Sequence, residues 1–384
     1  MLTLKLKRKK WVICLKMSKK KQANSDNRFM NQAVRLAWKG MSKVGSNPMV
    51  GAVFVKNGVI IAEGYHRQFG DDHAEVEAIK QAISNQKSLK GTTLYVTLEP
   101  CCHCGKKGPC TEALIKIKPK KVIYAQVDPN PLVSGKGIAI LEQNKIECVC
   151  GSTLEAKQLN EFYNVNVKLK RPFIHLKTVA TLDGKITLKK GKSTSLGSRA
   201  TSVRVHKIRN CYDGILIGFN TLKIDNPRLT VRLTKGVNPI RIILDSALRT
   251  PFSAQIFQEK GRNILATTRR KINSKWGKMP QVTILSCKKN SQGKIDLNDL
   301  LPKLFKMGIR SILVEGGEMV NTSFLQEKLV DRVSFIYTPK IAKNSRLPAI
   351  FKASKILPLF LKNMKIEKVG QDFWIQGEMQ SGDF

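Results

Sequence analysis

The sequence predicts two α/β domains in succession, and three observations carry that reading. The chain has 384 residues, where a single domain usually takes ~100–200. Short β-rich runs alternate with helix-period runs along almost the whole chain, the pattern of layered α/β architecture. One helical stretch, over 151–171, separates two such series, and no period repeats between them. Apolar residues at 42% and charged residues at 25% supply cores and exclude a disordered, collagen-like or disulfide-scaffold chain.

Taken in order, residues 1–26 are a basic tail without apolar period, expected to be disordered. Asn27 to Gly40 places Phe29, Met30, Ala33, Leu36 and Ala37 at helical spacing and ends on glycine, which predicts a helix. Met49–Val55 and Val59–Ala62 flank Asn57-Gly58, a hairpin signal. Helices are expected at Ala74–Ala82, Thr111–Ile117 and Gly137–Asn144. Strands are expected at Thr92–Thr97, Lys121–Val127 and Ile146–Cys150. This closes a first domain over 27–150. Glu155–Lys170 reads as one linking helix, and a second domain spans 172–384. There, strands are expected at Phe173–Ala180, Gly214–Ile217, Ile240–Leu244, Asn263–Thr267, Val282–Leu285, Ser311–Glu315 and Arg332–Pro339. Its helices are expected at Thr201–Arg209, Leu297–Met307 and Val320–Glu327.

Lys and Arg number 68 against 28 Asp and Glu, a net charge of +40. Such a balance raises nucleic acid or phosphorylated ligands as partners. The lysines run evenly from Lys5 to Lys368 instead of forming a stripe, which favours compositional drift. No apolar run reaches the ~18–20 residues of a membrane span. The N-terminus imitates a signal peptide, but its apolar stretch Trp11–Leu15 is short and closed by Lys16. Four of the nine cysteines, Cys101, Cys102, Cys104 and Cys110, crowd together, which suggests metal binding in a reducing compartment and a cytoplasmic protein. Cys14, Cys148, Cys150, Cys211 and Cys287 read as small core residues.

The densest chemistry is His73-Ala74-Glu75 followed by Glu99-Pro100-Cys101-Cys102-His103-Cys104, with Cys110 beyond. His-x-Glu with Pro-Cys-x-x-Cys is the signature of zinc-dependent nucleobase deaminases. An imidazole and two thiolates hold the metal while a fourth position stays open for water. Glu75 is the expected proton shuttle and not a ligand. Cys104 satisfies the literal spacing. Cys110 precedes a helical run whose N-terminus favours a thiolate, and glycines and a proline after Cys104 argue against helix there. A structural zinc knuckle would leave Glu75 and Glu99 without a purpose.

These motifs resemble the bifunctional deaminase–reductase family of riboflavin biosynthesis, from about Phe29 to the C-terminus. The resemblance implies a cytidine-deaminase-like α/β/α zinc domain followed by a dihydrofolate-reductase-like α/β domain. It implies one zinc per chain, on His73, Cys101 and Cys110, because the family uses the longer cysteine spacing. It also implies deaminase substrate contacts at Asn47, His66, Lys106, Asp128 and Asn130. Read alone, Asn47-Pro48 and Asp128-Pro129-Asn130-Pro131 are equally turn formers.

In the second domain there is neither G-x-G-x-x-G nor a P-loop. Val314-Glu315-Gly316-Gly317, after a strand and before a helix, could admit a phosphate to a helix N-terminus or simply make a turn. Leu182-Asp183-Gly184 and Thr221–Pro227 read as loops. The resemblance implies NADPH contacts at Val179, Ser195, Thr221, Asp225, Ser246, Gly317, Glu318, Met319, Val320, Asn321, Thr322 and Ser323. It implies reductase substrate contacts at Ser193, Arg209, Leu229, Arg232 and Glu315, with both arginines suited to fork a phosphate. One departure is local: Ser195-Leu196-Gly197 stands where the family usually has Trp-Ile-Thr.

The resemblance therefore implies zinc deamination of a phosphoribosylated diaminopyrimidine, then NADPH reduction of its ribosyl group to ribityl. The partner is a small phosphorylated pyrimidine; neither nucleic acid nor membrane is expected, and a homo-oligomer is compatible. The competing reading is a tRNA or other nucleic-acid deaminase gripping its substrate through the basic charge. That reading leaves the second domain unexplained and finds no aromatic-rich strand for base stacking.

Overall fold

The computed structural model describes residues 26–380 apart from Ser42, 104–107 and 353–357. The tail up to residue 25 (with Cys14), Cys104 and Lys106 lie outside the described residues. The chain divides between Lys168 and Leu169 into two compact units.

The first unit opens with α1 (26–37), then β1 (Gly51–Lys56), β2 (Val59–Tyr65) and α2 (Ala74–Ser84). β3 (Thr93–Val96), α3 (Cys110–Ile117), β4 (Lys121–Tyr124), α4 (Lys136–Gln143) and β5 (Glu147–Cys150) follow. The sheet order is β2-β1-β3-β4-β5; β1 is antiparallel to both neighbours, and β3, β4 and β5 are parallel. Period-two alternation gives the sheet two apolar faces. Ala52, Phe54, Leu94, Val96 and Val122 pack with Ala74, Ala78, Leu114 and Leu141. Val53, Val55, Tyr95 and Ile123 pack with Phe29, Met30, Ala33 and Ala156. Helices thus cover both faces. Asn57 and Gly58 take φ of 50° and 76°, the left-handed pair that a two-residue hairpin needs.

The expected linking helix is instead two short ones, α5 (Leu154–Leu159) and α6 (Glu161–Leu169). Asn160 breaks it. Its side-chain amide accepts from Met49 N at 2.8 Å and donates to Met49 O at 2.8 Å, pairing with an extended backbone in the first unit. A second difference concerns Cys150, which is exposed on the edge strand and not a core residue; Cys148 and Cys211 are half-buried and Cys287 is buried.

The second unit runs β6 (Phe173–Thr181), α7 (Arg199–Arg209), β7 (Gly214–Gly218), α8 (Phe219–Asp225), β8 (Ile240–Leu244), α9 (Gln255–Gln258), β9 (Asn263–Thr267) and β10 (Val282–Ser286). It continues with α10 (Leu297–Lys306), β11 (Ser311–Val314), α11 (Glu318–Gln326), β12 (Arg332–Thr338), β13 (Leu361–Val369) and β14 (Asp372–Met379). The sheet order is β10-β9-β8-β7-β11-β6-β12-β14-β13. It is parallel from β10 to β12 and ends in an antiparallel hairpin. β6, β7, β9 and β11 are buried almost throughout, as parallel strands covered on both faces are. The hairpin β13–β14 and the helices α8 and α9 had no counterpart among the sequence expectations. In open α/β sheets, ligands sit outside the carboxyl ends of the strands where the order reverses. Here β11 inserts between β6 and β7, so Glu315 and Gly218 emerge side by side.

Candidate active sites

In the first unit, His73 is the extended N-cap of α2, Cys110 is the first residue of α3, and Cys101 lies in the loop after β3. His73 Nδ1 stands 3.2 Å from Cys110 Sγ and 3.3 Å from Cys101 Sγ. The three donor atoms lie within 4.8 Å of one another. One imidazole and two thiolates converging at this separation fit a tetrahedral zinc with a free fourth position, whose bonds are ~2.0–2.3 Å. The Cys110 backbone N–H also donates to Cys101 Sγ at 3.4 Å, which favours a thiolate. Hydrogen bonding from Cys110, then from His73, holds the Cys101 thiol well below its ordinary range against the opposing effect of burial. His73 is pushed up to about 9, mainly by its bond to Cys101.

Glu75 sits on the first turn of α2 and is 3% exposed. Its carboxyl meets the donor triangle at the Cys110 thiol, and burial pushes it up to about 7. A carboxyl poised there can hold or release a proton near neutrality. His66 stands edge-on to His73, with ring centroids 5.7 Å apart. Its Nδ1 pairs with Asp72 O at 3.0 Å, which leaves Nε2 to accept from Asn47 Nδ2 at 3.1 Å. Burial lowers the His66 pKa, so the ring is neutral. Asn47 and His66 therefore stand beside the metal-ligand triangle.

Asp128 is 6% exposed in the loop after β4. Its Oδ1 accepts from Asn130 N at 2.8 Å and from the Tyr163 hydroxyl at 3.0 Å. Asn130 Oδ1 accepts from Leu132 N at 3.1 Å. The turn reading of this segment is what these bonds show: both side chains accept from the loop's own backbone. Tyr163 carried no sequence signal, because a tyrosine on a helix after the last strand reads as surface or core.

In the second unit, Glu315 follows β11 and Arg209 ends α7. Arg209 Nε and Nη2 donate to the two Glu315 oxygens at 2.8 Å each. Lys177, from β6, reaches Glu315 Oε2 at 3.2 Å. Burial pushes the Glu315 carboxyl up, but Arg209 and Lys177 outweigh it and hold it far below the usual range. Burial lowers the Lys177 pKa. Sequence reasoning missed Lys177, since one lysine in a β-rich run looks like the solvent side of a strand. Only 9% of its side chain is exposed.

The pair of phosphate forks expected from the two arginines requires a correction. The Arg209 fork is occupied by Glu315, and its Nη1 donates to Thr230 O at 3.2 Å. Arg232 makes a long 3.5 Å bond to Thr230 Oγ1. Its backbone N–H donates to His206 Nδ1 at 3.0 Å, a ring that burial first, then Arg209 and Arg232, keeps neutral by lowering its pKa to about 4. Leu229 is buried with φ of 53°, and the segment after it brings the Thr230 carbonyl to Arg209.

Around the implied cofactor, Gly317 approaches Thr221 so closely that a Cβ there would lie 3.3 Å from Thr221 Oγ1, and a Cβ on Gly316 would lie 2.6 Å from Val320 Cβ. Gly317 offers no side-chain cap to α11. An open helix N-terminus beside a backbone that only glycine permits fits a dinucleotide phosphate. Several side chains of 317–323 are turned elsewhere. Asn321 Nδ2 donates to Thr178 Oγ1 at 3.0 Å and Ile350 O at 2.8 Å. Thr322 Oγ1 accepts from Lys352 N at 2.8 Å, Glu318 Oε1 from Ala349 N at 3.0 Å, and Ser323 Oγ donates to Met319 O at 3.0 Å. The start of α11 therefore has no side-chain cap, while these side chains hold residues 349–352 and the helix itself. Val179 is half-buried on β6, and Asp225 is exposed at the end of α8. Ser246 O accepts from Thr267 Oγ1 at 3.1 Å and Thr268 Oγ1 at 3.0 Å. Ser193 and Ser195 are exposed, and Lys340 Nζ donates to Ser195 O at 3.3 Å and Leu196 O at 2.7 Å.

Residues 23–126 match the cytidine and deoxycytidylate deaminase zinc-binding region, and residues 172–375 match the RibD C-terminal domain. The chain is 37% identical to riboflavin biosynthesis protein RibD of Actinobacillus pleuropneumoniae, over 91% of this chain and 94% of that protein. It is 34% identical to RibD of Escherichia coli, over 90% and 97%. It is similar to the crystal structure of a diaminohydroxyphosphoribosylaminopyrimidine deaminase/5-amino-6-(5-phosphoribosylamino)uracil reductase from Thermotoga maritima, with TM-score 0.81 and 36% identity over 93% of this chain and 99% of that one. Two sites with the geometry described, on two units matched in this order, leave one conclusion: the chain belongs to the RibD family of bifunctional riboflavin-biosynthesis enzymes, with a deaminase half followed by a reductase half.

Proposed function

We propose that the first unit deaminates a phosphoribosylated diaminopyrimidine and that the second reduces the ribosyl group of the product to ribityl at the expense of NADPH. The observation that carries the reading is the convergence of His73, Cys101 and Cys110 beside a buried Glu75. Zinc held by those three side chains would lower the pKa of a coordinated water, the nucleophile this chemistry needs. Glu75 takes a proton and returns one to the departing amine, a task suited to a carboxyl near 7. Asn47, His66, Lys106, Asp128 and Asn130 bind and orient the pyrimidine and its phosphoribosyl arm.

In the second unit NADPH would supply the hydride. Val179, Thr221, Asp225, Ser246 and the start of α11 hold the cofactor. Arg232 binds the substrate phosphate, and Ser193 and Leu229 line the same pocket. Glu315, gripped by Arg209 and Lys177, faces the ribosyl hydroxyls as an ionised acceptor. No helix among the described residues is long and apolar enough to cross a membrane, and we place the enzyme in the cytoplasm. The RibD C-terminal match gives the second unit a purpose that a nucleic-acid deaminase would not.

Full-length zinc-loaded enzyme incubated with the diaminopyrimidine phosphate and NADPH should release ammonia and consume NADPH in equal amounts. Ammonia release without NADPH consumption would overturn the reductase assignment; neither would overturn both.

A further inference from the structure

Between the metal-ligand triangle and the Asp128 loop lies Glu99, a buried side chain, 3% exposed, that the mechanism above does not use. Its carboxylate is filled by four backbone N–H groups. Oε2 accepts from Asp128 N at 3.1 Å and Gly135 N at 2.9 Å. Oε1 accepts from Gly137 N at 3.0 Å and Ile138 N at 3.3 Å. The Glu99 backbone N–H donates to Gln126 O at 3.0 Å. One side chain thus fixes both ends of the 128–138 loop and satisfies the open N–H groups at the start of α4, where a negative charge is favoured. Only Pro100 separates Glu99 from Cys101. A Cβ on Gly137 would fall 2.1 Å from Pro100 O, so the loop end lies flat against the segment that delivers the metal ligand.

From the opposite side, the Tyr163 hydroxyl on α6 donates to Asp128 Oδ1, and Asn164 of the same helix pairs with Gln126 at 3.3 Å. Asp128 is therefore held through its backbone by Glu99 and through its carboxylate by Tyr163. A hydroxyl donating to one oxygen leaves the other, in a fixed direction, for a ligand.

We propose that Glu99 and Tyr163 are positioning residues of the deaminase: together they set the Asp128 carboxylate at a fixed offset from the metal site, so that the substrate arm and the reacting ring carbon are in register. This rests on the assignment of Asp128 to substrate. A carboxylate preset by two partners binds without an ordering cost, so loosening it raises KM more than it lowers kcat.

The test is a cycle in the full zinc-loaded enzyme, read as ammonia release, with zinc content and reductase activity measured in parallel. Tyr163→Phe should raise the deaminase KM roughly tenfold or more, the weight of one hydrogen bond to a charged group, with kcat within about twofold. On an Asp128→Ala background the same change should do nothing further. Effects that multiply, or an unchanged KM with a lower thermal midpoint, would reduce Tyr163 to a packing residue. If Asp128→Ala alone leaves kcat/KM untouched, the substrate assignment fails, and the inference with it. Glu99→Gln places an amide NH2 against backbone donors. It should raise KM about tenfold or more while zinc stays bound. Loss of zinc in step with activity would show that Glu99 serves the metal ligand and not the loop.

Discussion

The two halves of this chain store their chemistry differently. In the deaminase half, the candidate metal ligands and the proposed proton carrier Glu75 lie within 38 positions, from His73 to Cys110, at the starts of α2 and α3 and in the loop before α3. In the reductase half, Lys177, Arg209 and Glu315 come from β6, α7 and the end of β11, and only a nine-stranded sheet brings them together. A metal demands short bonds from specific donor atoms, which restricts residue type and spacing alike. An ion-pair network demands only complementary charge in one place, and any fold that closes there will do. The first leaves a motif in the chain and the second leaves scattered residues.

The contrast is sharpest at the proton carrier. Glu75→Gln should keep zinc bound while deamination falls by ~10²–10⁴-fold, the usual contribution of a general acid–base group. Reduction of supplied deaminated intermediate should continue at the normal rate. Ammonia release at the wild-type rate would remove Glu75 from the mechanism and leave its burial unexplained.

The charge network should respond in stability as well as activity. Glu315→Gln leaves Arg209 and Lys177 buried without a counter-charge, with side chains 12% and 9% exposed. Breaking one partner out of such a set costs about 3–5 kcal/mol. Differential scanning calorimetry should show the unfolding of the reductase half moved to lower temperature, with the deaminase half unmoved. A variant with unchanged unfolding would mean that the two cations find another partner. The next effect down belongs to Arg232→Ala. If Arg232 holds the substrate phosphate as proposed, this removes a charge-assisted bond worth about 1.5–3 kcal/mol, and the reductase KM should rise roughly tenfold or more. NADPH affinity, measured by fluorescence titration, should hold. An equal loss of both would place Arg232 at the cofactor.

The same contrast explains what could be read in advance. The sheet-forming runs of both halves were legible because buried strands must be apolar: Ile240–Leu244 and Asn263–Thr267 stand where expected. The zinc triangle was legible from His-x-Glu and the cysteines. Cys110, the first residue of α3, meets His73, while Cys104 lies outside the described residues. Asn160 was illegible as a helix breaker, since its reason is a pairing with Met49, 111 positions away. α8 read as a loop because Asp225-Asn226-Pro227 looks like a turn, and Asn226 indeed takes φ of 40° as its left-handed cap. The hairpin β13–β14 hid because β13 is largely exposed and its lysine-rich strand lacks a clean alternation. The role of Arg209 was misjudged for the same reason that Lys177 was missed: nothing in the sequence says which carboxylate meets which cation.

The smallest effect tests the departure in the 193–197 loop. Where the family usually carries Trp-Ile-Thr, this chain has Ser195-Leu196-Gly197. The Ser195 side chain is exposed, while its carbonyl and that of Leu196 are held by Lys340 and Leu196 is buried. The backbone here is therefore fixed by contacts that a change at Ser195 would leave alone. Ser195→Trp should restore an aromatic face beside the nicotinamide cofactor without redirecting the loop. Aromatic stacking adds ~0.5–1.5 kcal/mol beyond area burial, so the NADPH Kd should tighten between about two- and tenfold. Deaminase rates should not change, because Ser195 belongs to the other half. If the tryptophan leaves Kd unchanged, Ser195 does not face the cofactor, and the backbone N–H groups at the start of α11 become the principal anchor to test next. If Kd weakens, the loop has been rebuilt around the serine, and the local contacts of this chain outrank the family pattern.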